Sequence, residues 1–445
     1  MATIIPSPDQ HTDPDFTRGP VPTNARMSKF GLSMAWWSVC SAMFWLVVSA
    51  TLALHYGTIN TLIGLVLSAV CYSLINGVIT RYAIHSGLSV ALFSRILFGQ
   101  SGSALATLIF FATAIYYAVF EGSVIAVAIQ NYFPSLTIEQ AYLLVVVYSV
   151  PLVFGSVQQW LDKLNGVLLP FYLLGLAAAV GLTISEFGYS NAWLTLGPAS
   201  GTPTDGWWSC FTYFMGVWIL MMYTWDYARF GKEEDSDFHA RFNFGLPFYL
   251  FTFVINGVVG IFLAASIPTN GGVSEVSVVL ALLKLMGFAG LAFVWVSQTR
   301  INTANFYLAT INMQSFFERM TGLHVPKMVW GVVVGAIVYV LMLGNVFSVI
   351  LQALAYQGIF VVAWVGIALA HILSGFAANS DTPTPAIRRE GMISWFIATG
   401  LGIALMESSG ALATWSAPVT FFTSMLLYRI QYQQSIARET STHSI

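Results

Sequence analysis

Two ionisable side chains stand in the middle of long segments that carry no other charge. Glu121 sits within ATAIYYAVFEGSVIAVA and Arg300 within VWVSQTRINTANFYLA. A carboxylate carries a proton or accepts hydrogen bonds from a ligand's N–H groups, and a guanidinium supplies a fixed positive charge and a fork of donors. A charge in apolar surroundings costs a few kcal/mol and marks a functional site by default. The pair reads either as a structural ion pair that fixes helix packing or as part of a water-accessible substrate or ion site, with Arg300 snorkelling to an interface as a lesser option. Around Arg300 the chain is polar, with Ser297, Gln298, Thr299, Asn302, Thr303, Asn305 and Asn312. On a helix Gln298, Asn302 and Asn305 share one face by i, i+4, i+7 spacing. Lipid would not tolerate such a stripe, so it hydrogen-bonds to other helices or lines a site. Tyr116 and Tyr117 precede Glu121 by one turn, and Trp218 lies in another apolar segment. A lone aromatic is usually packing, but aromatics beside a polar constellation at one depth can stack on a flat heterocycle.

The elements that must position these residues follow from composition. The chain has 445 residues, 57% hydrophobic and 8% charged, with mean hydropathy +0.74. Soluble domains carry about 25% charged residues, so lipid must be the solvent. Apolar runs recur near 34–55, 59–79, 104–130, 140–157, 165–185, 208–226, 245–267, 286–312, 328–344, 348–374, 392–407 and 411–428. Each reads as a membrane-spanning helix. Ten-residue alternating segments of a transmembrane barrel are not seen. The expected class is an all-α polytopic membrane protein of about twelve helices.

The basic residues cluster on one side of this thread. Arg18, Arg26 and Lys29 precede the first span; Arg81, Arg95, Lys163, Arg229, Lys232, Arg241, Arg319, Lys327, Arg388 and Arg389 fall in even connections; Arg429 and Arg438 follow the last span. Lys284 lies opposite. The positive-inside rule then puts both termini in the cytoplasm of a cell-membrane protein. The proline-bearing start (Pro6, Pro8, Pro14, Pro20, Pro22) has no early apolar region and does not read as a signal peptide. Cys40, Cys71 and Cys210 match no metal or redox spacing. No phosphate loop or hydrolase motif stands in a sensible context, so an enzyme is not expected. No connection is long enough for a large soluble domain, which disfavours a receptor or sensor, and repeated pore-lining charges of a channel are absent. The expected partners are the bilayer and a small molecule, without nucleic acid or cofactor.

Several motifs then fall at telling intervals. They are Gly19-Pro20-Val21-Pro22 with Arg26; Gly87-Leu88-Ser89 through Ser94-Arg95, Phe98-Gly99 and Gly102-Ser103; Gly216-Val217-Trp218 with Asp226-Tyr227-Ala228-Arg229-Phe230-Gly231; and Thr303-Ala304-Asn305. Together they cover most of residues 18–320. In this the chain resembles nucleobase–cation symport family one, the purine, cytosine, hydantoin and allantoin permeases. The last four spans carry less signal, and His371 sits where many members have an Asp-Tyr pair.

The resemblance implies a LeuT-like fold. Two inverted repeats of five helices (about 31–190 and 205–375) would lie between tails 1–30 and 431–445, with two extra helices at about 390–430, all in one transmembrane domain at 31–430. Helices 1 and 6 would be broken near Ser38, Ser41 and Ala42 and near Gly216, freeing backbone groups for ligands. The implied function is a permease importing a nucleobase or related heterocycle by alternating access. Tyr117 matches a stacking aromatic and Glu121 a substrate-binding glutamine. Trp218 would supply the opposite stacking face, although spacing from Asp226 puts the match on Val217. Asn305 matches a substrate-binding asparagine, and Gly216 and Ser41 would line the site. Asp226 and Arg229 would gate or stabilise the end of helix 6.

Thr299 and Arg300 match the hydroxyl pair that helps hold sodium in sodium-coupled members. A guanidinium there would stand in for the cation, making transport sodium-independent, with Glu121 as candidate proton carrier. The coupling ion, H⁺ or Na⁺, stays open. An ionised Glu121 accepts hydrogen bonds only, favouring cytosine, adenine, guanine or a cationic heterocycle over uracil or hydantoin. An amino-acid, polyamine or vitamin permease of the same fold is the alternative.

Overall fold

In a computed structural model, residues 15–155, 160–268, 275–344, 347–375 and 385–442 are described. Among them a helix overlaps every one of the twelve expected spans, and no strand is present. Pro6, Pro8, Pro14 and the last three residues of the chain lie outside the described residues. Six helices are long and apolar enough to cross a membrane, or seven when the bent pair Lys29–Ser41 and Met43–Tyr56 counts as one span. The chain is thus a multi-pass membrane protein, and twelve crossings remain an expectation.

The first span is two helices, α1 (Lys29–Trp36) and α2 (Met43–Tyr56), bent by 41° about a short turn. Ser28 starts α1 by accepting a hydrogen bond from the Gly31 N–H, a cap that satisfies one of the first-turn donors. Next come α3 (Thr58–Ser86), α4 (Val90–Tyr132), α5 (Ile138–Leu152) and α6 (Asp162–Phe187). α4 is one run with a kink at Gly99, whose φ of +82° suits glycine alone. There Gln100 N donates to Pro385 O (2.9 Å) and Arg388 N to Phe98 O (2.9 Å), tying the kink to a distant loop.

The sixth span is likewise double, with α7 (Gly206–Met215) and α8 (Ile219–Ala228). The seventh runs through short helical and π-helical turns into α9 (Asn256–Ser266). A helix not anticipated from the sequence, α10 (Glu275–Met286), precedes the eighth span. Its 12 residues, Lys284 among them, are too few to span a bilayer and read as part of the connection before the eighth span. The eighth span is α11 (Phe288–Thr321), followed by α12 (Lys327–Leu343), α13 (Phe347–Leu373), α14 (Arg389–Met406) and α15 (Ser416–Thr442).

α11 lies along α4 in the most extensive helix pairing of the molecule. Every residue from Val296 to Ser315 is buried. The polar stripe therefore faces protein, as backbone and amide chemistry in lipid requires. Residues 15–28, expected as tail, pack against the basic end of the bundle. Met27 N donates to Phe230 O (2.7 Å), Val21 N to Gly87 O (2.9 Å), and Arg26 Nη1 to Gly231 O (2.7 Å).

Candidate functional site

A turn between α1 and α2 interrupts the helical ladder, and its carbonyls need other partners. Side chains supply all of them from Trp37 to Ser41. Trp37 O accepts from Arg300 Nη2 (2.7 Å) and Cys40 Sγ (3.0 Å). Ser38 O accepts from Ser41 Oγ (2.8 Å), Val39 O from Trp45 Nε1 (2.9 Å), and Cys40 O from Asn256 Nδ2 (2.7 Å). Ser41 O accepts from Ser297 Oγ, while Ser41 Oγ donates to Ser297 O (2.9 Å). The break is thus held open by a ring of donors, two of them, Arg300 and Ser297, on α11.

The second interruption is milder. Gly216 N, Val217 N and Trp218 N donate to Tyr213 O (3.0 Å), Phe214 O (3.2 Å) and Met215 O (3.2 Å). These i to i−3 bonds tighten the helix instead of unwinding it. The expectation that both breaks leave backbone groups free for a ligand is not met here. At the first break side chains take the carbonyls, and at the second the helix keeps its own bonds.

The two interruptions face one small cavity. Val39, Ala42, Phe44 and Trp45 form its α1–α2 side, and Val217, Ile219, Leu220 and Tyr223 its α7–α8 side. Tyr117 and Glu121 come from α4, and Ile301 and Asn305 from α11. The wall is apolar and aromatic with few polar groups, the usual character of a small-molecule site.

Glu121 is buried and accepts a hydrogen bond from Gln298 Nε2. Gln298 turns its Oε1 to the first N–H of α2, Met43 N, at 2.9 Å. One amide therefore joins the carboxylate to the broken helix. Asn305 Oδ1 accepts from Tyr223 OH (2.9 Å), and its Nδ2 has no hydrogen-bond partner among the described residues. That leaves a buried donor at the cavity wall, costing about 1–3 kcal/mol when unmet.

Glu121 and Arg300 do not form an ion pair in this structure. Arg300 is fully buried, with its guanidinium on Trp37 O and 5.6 Å from the Tyr172 ring centroid. Its Nε and Nη1 have no hydrogen-bond partner among the described residues. Thr299 turns elsewhere, to Tyr148 OH at 2.9 Å. The hydroxyl–guanidinium pair expected at one cation position is thereby split between two helix contacts, because neighbouring residues on a helix point about 100° apart.

Three expected wall residues stand elsewhere. Trp218 is buried behind the cavity, edge-on to Phe421 (5.1 Å) and Tyr72 (6.4 Å). The tightened turn points Val217 inward in its place. Gly216 lies against Gly358, where an added Cβ on Gly358 would stand 2.7 Å from Gly216 O. Ser41 ties the first break to α11 and does not line the cavity. Asp226 and Arg229 lie at the basic end of α8. Asp226 accepts from Val90 N (2.8 Å), the first residue of α4, and Arg229 donates to Asp15 O (2.7 Å) and Phe16 O (3.1 Å).

Sequence reasoning placed Gln298 on the polar stripe without a site role, and passed over Phe44, Trp45 and Tyr223. The stripe's spacing held the signal for Gln298. The aromatics carried none, since aromatic residues make up 15% of the chain.

No family model matches the chain, and no curated protein matches it in sequence. Solved structures match its fold. Mhp1, a nucleobase-cation-symport-1 family transporter, in a closed conformation with bromovinylhydantoin bound, aligns with TM-score 0.77 at 13% identity, over 94% of this chain and 95% of that one. The inward-facing conformation of Mhp1 gives 0.73 at 13% identity, over 94% of each chain. A substrate-bound, outward-open Na⁺-coupled sialic acid symporter gives 0.64 at 12% identity, over 95% and 92%. At such identities the likeness establishes the fold, which is LeuT-like.

Proposed function

We propose that the chain is a secondary transporter that imports a small planar nitrogen heterocycle by alternating access. One observation carries the reading: a cavity between two interrupted helices pairs aromatic walls with one carboxylate and one amide. The solved Mhp1, with the same fold, has bromovinylhydantoin bound. The clustering of most basic residues on one side supports an orientation with both termini cytoplasmic, and with it a place in the cell membrane.

The chemistry of the wall narrows the ligand. An ionised Glu121 accepts hydrogen bonds, and Asn305 Nδ2 donates one. A ring edge with an N–H donor beside an acceptor suits this pair, as in cytosine, adenine or guanine. Tyr117, with Phe44 edge-on to it at 6.3 Å, offers a ring face for stacking. Uracil and hydantoin also offer a ring N–H beside a carbonyl, and what favours the amino-bearing bases is their larger share of N–H donors to set against the Glu121 carboxylate.

In this reading Arg300 takes the place of a coupling sodium. Its charge rests on a carbonyl of the first break, where a cation would otherwise bind oxygen. Transport is then sodium-independent, driven by protons through Glu121 or facilitated. A second reading, a permease for a cationic amine such as a polyamine, is favoured by the carboxylate alone.

Proteoliposome uptake of radiolabelled nucleobases, amino acids and polyamines, with and without Na⁺ and a pH gradient, tests both. Saturable uptake of cytosine or a purine without Na⁺ is expected. Strict dependence on Na⁺ would overturn the coupling, and uptake of amines only would overturn the substrate class.

A further inference from the structure

A second cavity opens at the basic end of the bundle, away from the site above. Thr17, Arg18, Arg95, Ser315, Glu318, Arg319 and His324 line it. Three guanidiniums thus surround one space against a single carboxylate. That carboxylate is already engaged, since Glu318 Oε1 lies 3.0 Å from Arg18 Nη2 and accepts from Gln314 Nε2 at 3.3 Å.

The other two guanidiniums are underused. Arg319 spends only Nη1, which donates to Ser103 Oγ at 2.7 Å. Its Nε and Nη2 are buried without a hydrogen-bond partner among the described residues. Arg95 makes no hydrogen bond or ion pair with any described residue, and lies close enough to Arg319 for the two to repel. Like charges gathered around a cavity, with donors left unmet, cost stability unless an anion completes them. Arg319 also sits in the last turn of α11, where a cation complements the helix dipole. That role accounts for one charge, but neither for Arg95 nor for the two idle N–H groups.

We propose that this cavity binds a phosphate-type oxyanion, either free phosphate or the headgroup of an anionic phospholipid. Planar guanidinium forks match phosphate oxygens, and Ser315 adds a hydroxyl donor at the same wall. The anion would join three parts of the chain at once: the N-terminal segment at Thr17 and Arg18, the start of α4 at Arg95, and the end of α11 at Arg319. The proposal stands apart from the transport reading, because it rests on different residues.

The test uses full-length protein, delipidated in a neutral detergent. Thermal unfolding is followed with inorganic phosphate against chloride at matched ionic strength, and with phosphatidylglycerol against phosphatidylcholine. Saturable stabilisation by phosphate identifies a soluble anion. Stabilisation by phosphatidylglycerol alone identifies a lipid headgroup. Either result supports the site. Arg95→Gln should weaken the response at least about tenfold, the loss of one charge-assisted hydrogen bond. This variant breaks no hydrogen bond or ion pair with a described residue, so it remains informative if Arg319→Gln fails to fold. No saturable response in the wild type, or an unchanged midpoint in Arg95→Gln, overturns the proposal.

Discussion

Replacing Arg300 by threonine tests whether its guanidinium stands where a cation would. The substitution removes a charge-assisted hydrogen bond to Trp37 O, made at 2.7 Å by a fully buried side chain. Such a bond contributes about 1.5–3 kcal/mol. It also removes the cation held 5.6 Å from the Tyr172 ring centroid, near the outer limit of that interaction and worth about 0.5–1 kcal/mol. Against these losses, Nε and Nη1 no longer lie buried without partners, which returns a part of the cost. The gross loss in sodium-free medium is about 2–4 kcal/mol before that return. If the vacated position is a cation site, sodium at about a hundred times its Kd restores roughly 2.7 kcal/mol. Unfolding of Arg300→Thr should therefore depend on Na⁺, while unfolding of the wild type should not. Uptake should follow the same pattern in proteoliposomes prepared with NaCl or choline chloride. A variant indifferent to sodium in both assays refutes the idea that Arg300 substitutes for the ion.

The other expectations concern the cavity and the scaffold. Glu121→Gln keeps an oxygen for the Gln298 amide and removes the titrating proton; binding should persist while pH-driven accumulation is lost, measured by equilibrium binding beside uptake. Asn305→Asp keeps an acceptor for Tyr223 OH and deletes the Nδ2 donor; affinity for cytosine or a purine should fall about ten- to a hundredfold in a binding assay. Trp218→Phe should leave affinity unchanged, because Trp218 packs on Phe421 and Tyr72, whereas Val217→Phe should fill the cavity and abolish binding. Gly99→Ala should cost about 3 kcal/mol in thermal unfolding, because the added Cβ would meet Pro385 O at 2.6 Å at a φ of +82°.

How much of this was legible depends on which interactions are local. Apolar runs announce helices because one residue type repeated about twenty times is enough to span lipid. The bend of the first span came from the family resemblance, because small residues such as Ala35, Ser49 and Ala50 recur along the run and do not single out Ser38, Ser41 and Ala42. The destination of side chains was not. Whether Trp218 or Val217 faces the cavity depends on one tightened turn, set by three hydrogen bonds that no composition records. Glu121 and Arg300 are complementary in charge yet form no ion pair: Gln298 donates to the carboxylate, and the guanidinium donates to Trp37 O at the α1–α2 break. α10 escaped notice because length, not type, is what distinguishes it from the run that follows.

The position of Gln298 links the two halves of the candidate site. Its amide donates to Glu121 and accepts from Met43 N, the first donor of α2. A ligand that donates to Glu121 competes with or reinforces the Gln298 bond, and so alters how firmly α2 is anchored to α11. Two residues along α11, Arg300 holds Trp37 O on the other side of the same break. The broken helix is therefore clamped at both ends of its turn by one scaffold helix, once by a neutral amide and once by a charge. The neutral clamp is the one that ligand chemistry or protonation of Glu121 can weaken, while the charged one persists at every accessible pH because a guanidinium does not titrate there. Gln298→Leu removes the neutral clamp alone. It should leave Met43 N without its acceptor and lower stability by about 1–3 kcal/mol. Substrate affinity should then no longer respond to pH in the way Glu121 dictates, measured as binding across the titration of wild type and variant. An identical pH profile in the two would mean that Glu121 and the broken helix are not coupled through this amide.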